Sequence, residues 1–337
     1  MGPMPLFLVP LVGPFHRRFP RYNAATVTEI VAAQAPEALA TTAISADAWA
    51  GAAWRDLDDP ALAAALDWAV AHTLPVHAIG EPSPDPSAPD DFVRILREAT
   101  GGHPALDRLD EAERPLADLL TGALDLGRVR SELEPLVATV QDLKVELFGD
   151  GPGTDWLEAR ADAAAERARA LAVGRTVLLA PIDQVPSLRR RLEGVLTDVD
   201  NVPPSEAARQ RALLDTAFAG EADDPAGLLS ALRGLDEPEA RLAEAETLLR
   251  HGHAAEALDV LVEALRGDLT GPPHLPGWLL ARLGQLYDLD GRREEARKAY
   301  RGVLALDWAP PPAREAAREG MERPFRLEGG GGPDGSG

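Results

Sequence analysis

The chain has 337 residues, of which 45% are hydrophobic and 5% aromatic, so we expect about two domains and a sizeable buried core. Its 34 Lys and Arg residues against 55 Asp and Glu residues give a net charge of −21. Such a charge disfavours nucleic acid and anionic membrane as partners. The sequence contains no cysteine, which excludes disulfides and thiolate-bound metals and is typical of a reducing cytoplasm.

The first half of the chain alternates buried apolar runs with helical patterns. The opening run, Leu6 to Val12, is continuously apolar and predicts a strand buried on both faces. The elements that we expect next are a helix at 22–35 capped by Asn23, a strand at 35–45, a helix at 58–73 capped by Asp58 or Asp59, and a strand at 74–80. Alternation of this kind predicts a parallel sheet with right-handed crossovers.

The second half is mostly helical in pattern. A fourth strand is expected at 174–183, followed by an arginine-rich helix at "SLRRRLEG" and, from 203 onward, by helices alone. The predicted fold is therefore α/β, with a parallel sheet of about four strands, followed by a helical region. Its domains are an α/β domain at 1–200 with a helical insertion at about 90–172, a helical domain at 203–325, and a disordered tail at 326–337.

The chain carries no pattern of a membrane span or of a secretion signal. No stretch approaches the roughly 20 apolar residues that a spanning helix needs. The apolar start lacks a positively charged leading region and a small-residue cleavage site, so we expect a cytoplasmic protein.

Two segments of the C-terminal half repeat each other. The segments are 243–265 and 281–304, and the equivalent positions are Ala245 and Gly284, Leu248 and Tyr287, Gly252 and Gly291, Ala257 and Ala296, and Leu261 and Tyr300. The small residues allow two helices to approach closely, and the glycines suit a left-handed helix end. The segment resembles the tetratricopeptide-repeat family over about 80 residues.

Two such units imply a covering surface, because repeats of this kind need about three units to bury their open faces. The resemblance implies a protein or peptide partner, and a second copy of the chain is one possible partner. The alternative is a pair of ordinary helical hairpins without repeat function.

The N-terminal half resembles the TraB-like group, whose wider superfamily includes erythromycin esterases and haem-binding ChaN-like lipoproteins. Gly13 and His16 match the G-x-x-H turn with which the first strand of that family ends, and Pro36 with Glu37 matches the motif before its second strand. The segment 156–194 is similar to the family's late helix and strand. The resemblance implies a shared α/β fold.

The departures from that family argue against a shared activity. Its second strand ends in a glutamate, where this chain has Thr41 and Thr42, and its second glycine–histidine turn is replaced by "LAPIDQVP". A lone His16 cannot hold a catalytic metal, which normally has about three protein ligands. We therefore expect no metal and no cofactor.

Charged residues follow several of the predicted strands, whose carboxyl ends share one edge of a parallel sheet. We predict an anion site there from Arg17, Arg18, Arg21, Arg189 and Arg190, because arginine suits carboxylates and phosphates. The alternative is a solvated helix start and an arginine-rich face paired with nearby acids.

The sequence thus favours a non-catalytic interaction protein that combines a degenerate TraB-like domain with a short repeat module. One alternative is a hydrolase in which His16 acts with the carboxylates of Glu81 and Asp183. The other is a sensor of an anion or a small ligand.

Overall fold

A computed structural model describes residues 5–52, 57–81, 98, 104–149, 155–172, 174–220, 222–267 and 274–327. The chain separates into two compact units, Met1–Ala212 and Leu213–Gly337, and the boundary falls inside a helix. Most of the predicted tail, from 328 onward, and the start of the predicted helical insertion, 90–97 and 99–103, lie outside the described residues.

The first unit contains a parallel sheet of five strands. The strands are β1 (Leu6–Leu11), β2 (Ala38–Thr41), β3 (Val76–Ala78), β4 (Thr176–Pro181) and β5 (Leu196–Asp198). Their order in the sheet is β3-β2-β4-β1-β5, and every pair of neighbours is parallel. The predicted α/β class with a parallel sheet is confirmed, but the number of strands is five where about four were expected.

Side chains alternate along β1 between two packed layers. Val9 and Leu11 point to one face, where they pack with helices α1 (Ala24–Ala33) and α3 (Pro60–Ala71). Leu6 and Leu8 point to the other face, where they pack with helices α7 (Asp155–Ala170) and α8 (Val185–Arg191). This alternation buries β1 on both sides, as its continuous apolar run predicts.

Local sequence signals explain the helix starts of this unit. Asn23 caps α1 by accepting a hydrogen bond from the N–H of Thr26 at 3.0 Å, as expected. Asp59, rather than Asp58, caps α3 and accepts from the N–H groups of Ala61 and Leu62. The remaining helices are α2 (Ala46–Ala50), α4 (Pro104–Thr121), α5 (Leu126–Arg128), α6 (Glu134–Phe148) and the first part of α9 (Glu206–Ala219). A π-helical segment, Val129–Leu133, joins α5 to α6.

The second unit is helical and is built from hairpins. Its helices after α9 are α10 (Pro225–Arg233), α11 (Pro238–Arg250), α12 (Ala254–Ala264), α13 (Leu275–Leu289), α14 (Arg293–Leu304) and α15 (Pro311–Glu322). Helix α11 packs on α12, and α13 packs on α14 and α15. None of the described helices of either unit is long and apolar enough to cross a membrane.

The turns within the two main hairpins are alike. Gly252 and Gly291 have φ of 84° and 74°, the left-handed conformation expected for them. In the first turn the N–H of His253 donates to the carbonyl of Leu248 at 2.9 Å, and in the second the N–H of Arg292 donates to that of Tyr287 at 2.8 Å. Both helices therefore end in the same Schellman motif.

A buried tyrosine fills the space between α13, α14 and α15. Methyl groups added at Gly284 and at Gly320 would each lie 2.7 Å from an atom of the Tyr300 ring, so both sites require glycine. The Tyr300 hydroxyl donates to the buried carboxylate of Asp288 at 2.9 Å. Arg293 and the N–H of Phe325 donate to the same carboxylate. Burial, and then Asp288, raises the pKa of Tyr300, so its hydroxyl remains a donor.

Candidate functional site

The sequence predicts a site at the carboxyl edge of the sheet, where the parallel strands end. Strands β1 and β4 are neighbours, and the N–H of Ile182 donates to the carbonyl of Leu11 at 2.7 Å just where both strands end. Segments that follow these two strands therefore lie side by side. Strand β3 is three strand spacings from β1, roughly 14 Å.

His16 lies at this edge and is fully buried in a short 3-10 helix, Gly13–Arg18. Its Nε2 accepts a hydrogen bond from the N–H of Val12 at 3.0 Å, and its Nδ1 donates to the carbonyl of Tyr22 at 2.6 Å. These bonds fix the neutral tautomer that carries its proton on Nδ1. Burial lowers the pKa of His16 more than Asp59 and the Tyr22 carbonyl raise it.

Through these two hydrogen bonds, the neutral His16 side chain links the end of β1 to the start of α1; we name this arrangement the neutral clasp. Both ring nitrogens are occupied by backbone groups, so neither is left to take a proton from a substrate. The Tyr22 ring packs against the His16 ring, and the Tyr22 hydroxyl donates to the carbonyl of Pro10 at 2.6 Å. The sequence pattern indicates a catalytic histidine at this turn, but the hydrogen bonds of His16 give it a structural role.

Of the two carboxylates that were expected to act with His16, Glu81 follows a strand three spacings from β1, whereas Asp183 follows the strand next to β1. Glu81 follows the edge strand β3 and forms an ion pair with Arg167. Asp183 follows β4, and its backbone carbonyl accepts from the Gln141 side chain. Desolvation raises the pKa of the Asp183 carboxyl against the smaller, opposite effect of Arg160. Strand order therefore separates Glu81 from His16, and within the described residues no hydrogen bond joins His16 to Asp183.

Most of the arginines expected to bind an anion are already paired within the protein. Arg17 pairs with Asp58, Arg189 pairs with Glu134 and Asp198, and Arg190 contacts Glu158 and the Ser187 hydroxyl. Arg18 is exposed and also has a polar partner. These residues therefore fit the alternative to an anion pocket, in which exposed arginines pair with nearby acids.

Arg21 differs from the other four arginines. It is exposed, and no carboxylate of the described residues lies within ion-pair distance of it. It lines an open cleft together with Asp125, Asn201 and the segment 202–204. Among the predicted anion-binding residues, Arg21 therefore remains available to a ligand.

Sequence reasoning missed Arg130, which lies on the π-helical segment. Its Nε is 3.6 Å from a carboxylate oxygen of Asp198, and Nε and Nη2 are both buried without a hydrogen-bond partner among the described residues. Its charge also lowers the pKa of Tyr22, against the larger effect of burial, which raises it. The π-helical segment places Arg130 close to Asp198 and Tyr22. No pattern in the sequence around this arginine predicts that position.

The described residues hold no cluster of three or more His, Asp or Glu side chains that could bind a metal ion. On the second unit, α14 exposes three basic side chains, Arg297, Lys298 and Arg301, and also exposes Glu294 one turn before the first two; within the described part of the chain no ion pair joins the three cations to a carboxylate. Their spacing places Arg301 one helical turn beyond both neighbours.

Two tryptophans are exposed at one end of the α13–α14 hairpin. Trp308, between α14 and α15, is 62% exposed, and Trp278, on the first turn of α13, is 37% exposed. A methyl group added at Gly277 would lie 3.1 Å from Cβ of Ala309, so the two segments that carry the tryptophans pack against each other.

No protein-family model matches the chain, and a search of curated proteins found no similar sequence.

Proposed function

We propose that the chain is a non-catalytic interaction protein whose second unit binds another protein through tetratricopeptide-like hairpins. The observation that carries this proposal is the set of exposed residues Arg297, Lys298 and Arg301 of α14 and Trp308, which follows α14 in the chain; we name this set the α14 face. It places three basic side chains, Arg297, Lys298 and Arg301, on the same hairpin as an exposed indole. Tryptophan and arginine are the residue types most often found at the centre of protein interfaces.

The packing of the hairpins supports a repeat origin for this unit. The two turns share one hydrogen-bond pattern, and Ala245 and Gly284 occupy equivalent buried positions on the first helices. Helix α15 packs along the second hairpin and lies beside Tyr300 through Gly320. It acts as the covering surface that two repeats need.

The chemistry of the α14 face indicates its partner. The chain as a whole carries a net charge of −21, whereas this face carries three exposed cations against the one exposed carboxylate of Glu294. Charge complementarity favours a partner segment that is acidic and bears an apolar residue to cover Trp308. In this proposal, the first unit is a degenerate TraB-like domain that retains the fold but has no catalytic activity. The cysteine-free chain works in the cytoplasm.

Affinity capture from a lysate of the source cells tests the proposal, with the full chain as bait. The test variant combines Trp308→Ala with Arg301→Glu, and the control is Val70→Ala, an exposed apolar residue of the first unit. We expect the test variant to reduce capture of a specific acidic protein about tenfold or more, and the control to leave it unchanged. Capture by the test variant equal to capture by the parent chain would contradict the proposal, and so would a dimer mass on size exclusion that the test variant, unlike the control, converts to a monomer mass.

The hydrolase alternative receives no support from the geometry of His16. The sensor alternative is favoured by one observation, the available guanidinium of Arg21 in its cleft.

A further inference from the structure

An open cleft lies beside the end of β1 in the first unit. Its volume is about 410 Å³, within the range of about 300–1,000 Å³ in which small molecules bind. The residues that line it are Arg21, Asp125, Asn201, Val202, Pro203 and Pro204. They come from three parts of the chain: the segment before α1, the start of α5, and the connection that follows β5.

The polar groups of the cleft have opposite charges. Arg21 offers a guanidinium that no described carboxylate pairs. Asp125 is held in place because its Oδ1 caps α5 by accepting from the N–H of Arg128 at 2.9 Å, and a carboxylate has acceptor capacity beyond that bond. Asn201 adds an exposed side-chain amide, which can donate and accept.

The opposite wall is apolar and stiff. Val202 packs against the main core of the unit, and Pro203 and Pro204 follow it with backbone angles that their rings restrict. A ligand that meets this wall loses less free energy to ordering of the site than one that meets a mobile loop.

A second cation, Arg130, lies near residues that neighbour the cleft lining, and it is paired with a carboxylate. Arg130 lies close to Tyr22, the residue after Arg21, and to Asp198, three positions before Asn201. Two of its guanidinium nitrogens have no hydrogen-bond partner among the described residues. Because Asp198 offsets the charge of Arg130, Arg21 is the cation that an anionic group in the cleft would meet.

We propose that this cleft binds a small α-amino carboxylate with an apolar side chain. The carboxylate would pair with Arg21 and the ammonium with Asp125, while the side chain would lie against Val202 and the two prolines. A dianionic phosphate fits less well, because one available arginine faces it and the Asp125 carboxylate would repel it. The site lies in the unit that the proposed protein-binding function does not use, so each proposal can fail alone.

Calorimetric titration of the full chain with L-leucine tests the site. We expect saturable binding, and binding at least about tenfold weaker for leucinamide, which lacks the carboxylate. Arg21→Gln should weaken the binding of L-leucine by a similar factor. Arg17→Gln changes an exposed arginine that is already paired with Asp58, and it should leave this binding unchanged. Melting temperatures of both variants establish that each is folded.

A second variant separates the two charges of the ligand. Asp125→Asn keeps the helix cap, because asparagine caps as well as aspartate, but removes the negative charge. It should weaken L-leucine and leave 4-methylpentanoate, which has no ammonium, unchanged or tighter. The proposal is overturned if L-leucine shows no saturable binding below a concentration on the order of 10 mM. Equal binding by the parent protein and Arg21→Gln would also overturn it.

Discussion

The two units handle their buried polar groups in different ways. In the α/β unit, the buried His16 is neutral and satisfies backbone groups, while the adjacent Arg17 pairs with Asp58 at the surface. In the helical unit, the fully buried carboxylate of Asp288 is held by Arg293, Tyr300 and a backbone N–H. A neutral clasp responds to pH, whereas a buried charge responds to loss of any one partner.

The largest expected effect is on the helical unit, from Gly284→Ala. The added methyl group would lie 2.7 Å from Cδ1 of Tyr300, whose ring is held between two helices and cannot move aside. We expect the free energy of unfolding to fall by about 3 kcal/mol. The control is Gly302→Ala on α14, where the methyl group meets only the end of the Leu280 side chain at 3.2 Å. Urea unfolding should show that control neutral or stabilised, since alanine favours helix.

Removal of one partner from the buried charge should have the next largest effect. Tyr300→Phe deletes a donor to Asp288 and should lower the free energy of unfolding by about 2 kcal/mol. Tyr287→Phe is the matched control, because that ring lies 4.4 Å under the Arg292 guanidinium and its hydroxyl has no partner among the described residues. Equal losses for the two variants in urea unfolding would show that the Asp288 network does not stabilise the unit.

The neutral clasp predicts a pH dependence with a definite sign. Burial lowers the pKa of folded His16, so below its unfolded pKa of about 6.5 the unfolded chain binds a proton that the folded chain does not. This contribution to stability is complete above that pH and falls by up to about 1.4 kcal/mol per pH unit as the pH drops toward the folded value.

Unfolding measured between pH 7.5 and 5.5 checks this prediction. His16→Gln should be less stable at neutral pH and should lose part of the slope, while His72→Gln, which changes an exposed histidine, should keep it. A slope that is the same in all three proteins would refute the assignment of His16.

The smallest effects are expected at the two hairpin turns. Gly252→Ala and Gly291→Ala each place a side chain on a left-handed residue, at a cost of about 1 kcal/mol. Because the turns share one geometry, we expect the two losses to agree within about 0.5 kcal/mol when they are measured by urea unfolding. A clear difference would mean that the two hairpins are not equivalent repeats.

Much of the fold could be predicted because its signals are local. The continuous apolar run of β1, the Asn23 cap and the two turn glycines each act within a few residues. Strand β5 was missed because Thr197 and Asp198 are exposed on an edge strand and interrupt any apolar pattern.

The candidate site could not be predicted, because the contacts that decide it are not local. His16 bonds to backbone groups, which no sequence pattern marks, and Arg189 pairs with Glu134, 55 positions earlier. Glu81 fails to meet His16 because β4 is inserted between β2 and β1, and strand order is not written in any one segment. The sequence shows which residue types follow each strand, but the order of the strands decides which of these residues lie close together.

We propose that the helical unit binds the partner protein and that the sheet edge around His16 takes no part in this binding. Hydrogen exchange of the full chain with and without its captured partner tests this most directly. We predict added protection of amides in α13–α15, around Trp308, and unchanged exchange in the segment from Gly13 to Tyr22. Protection confined to that segment and to the turn after β4, with α13–α15 unchanged, would contradict the account.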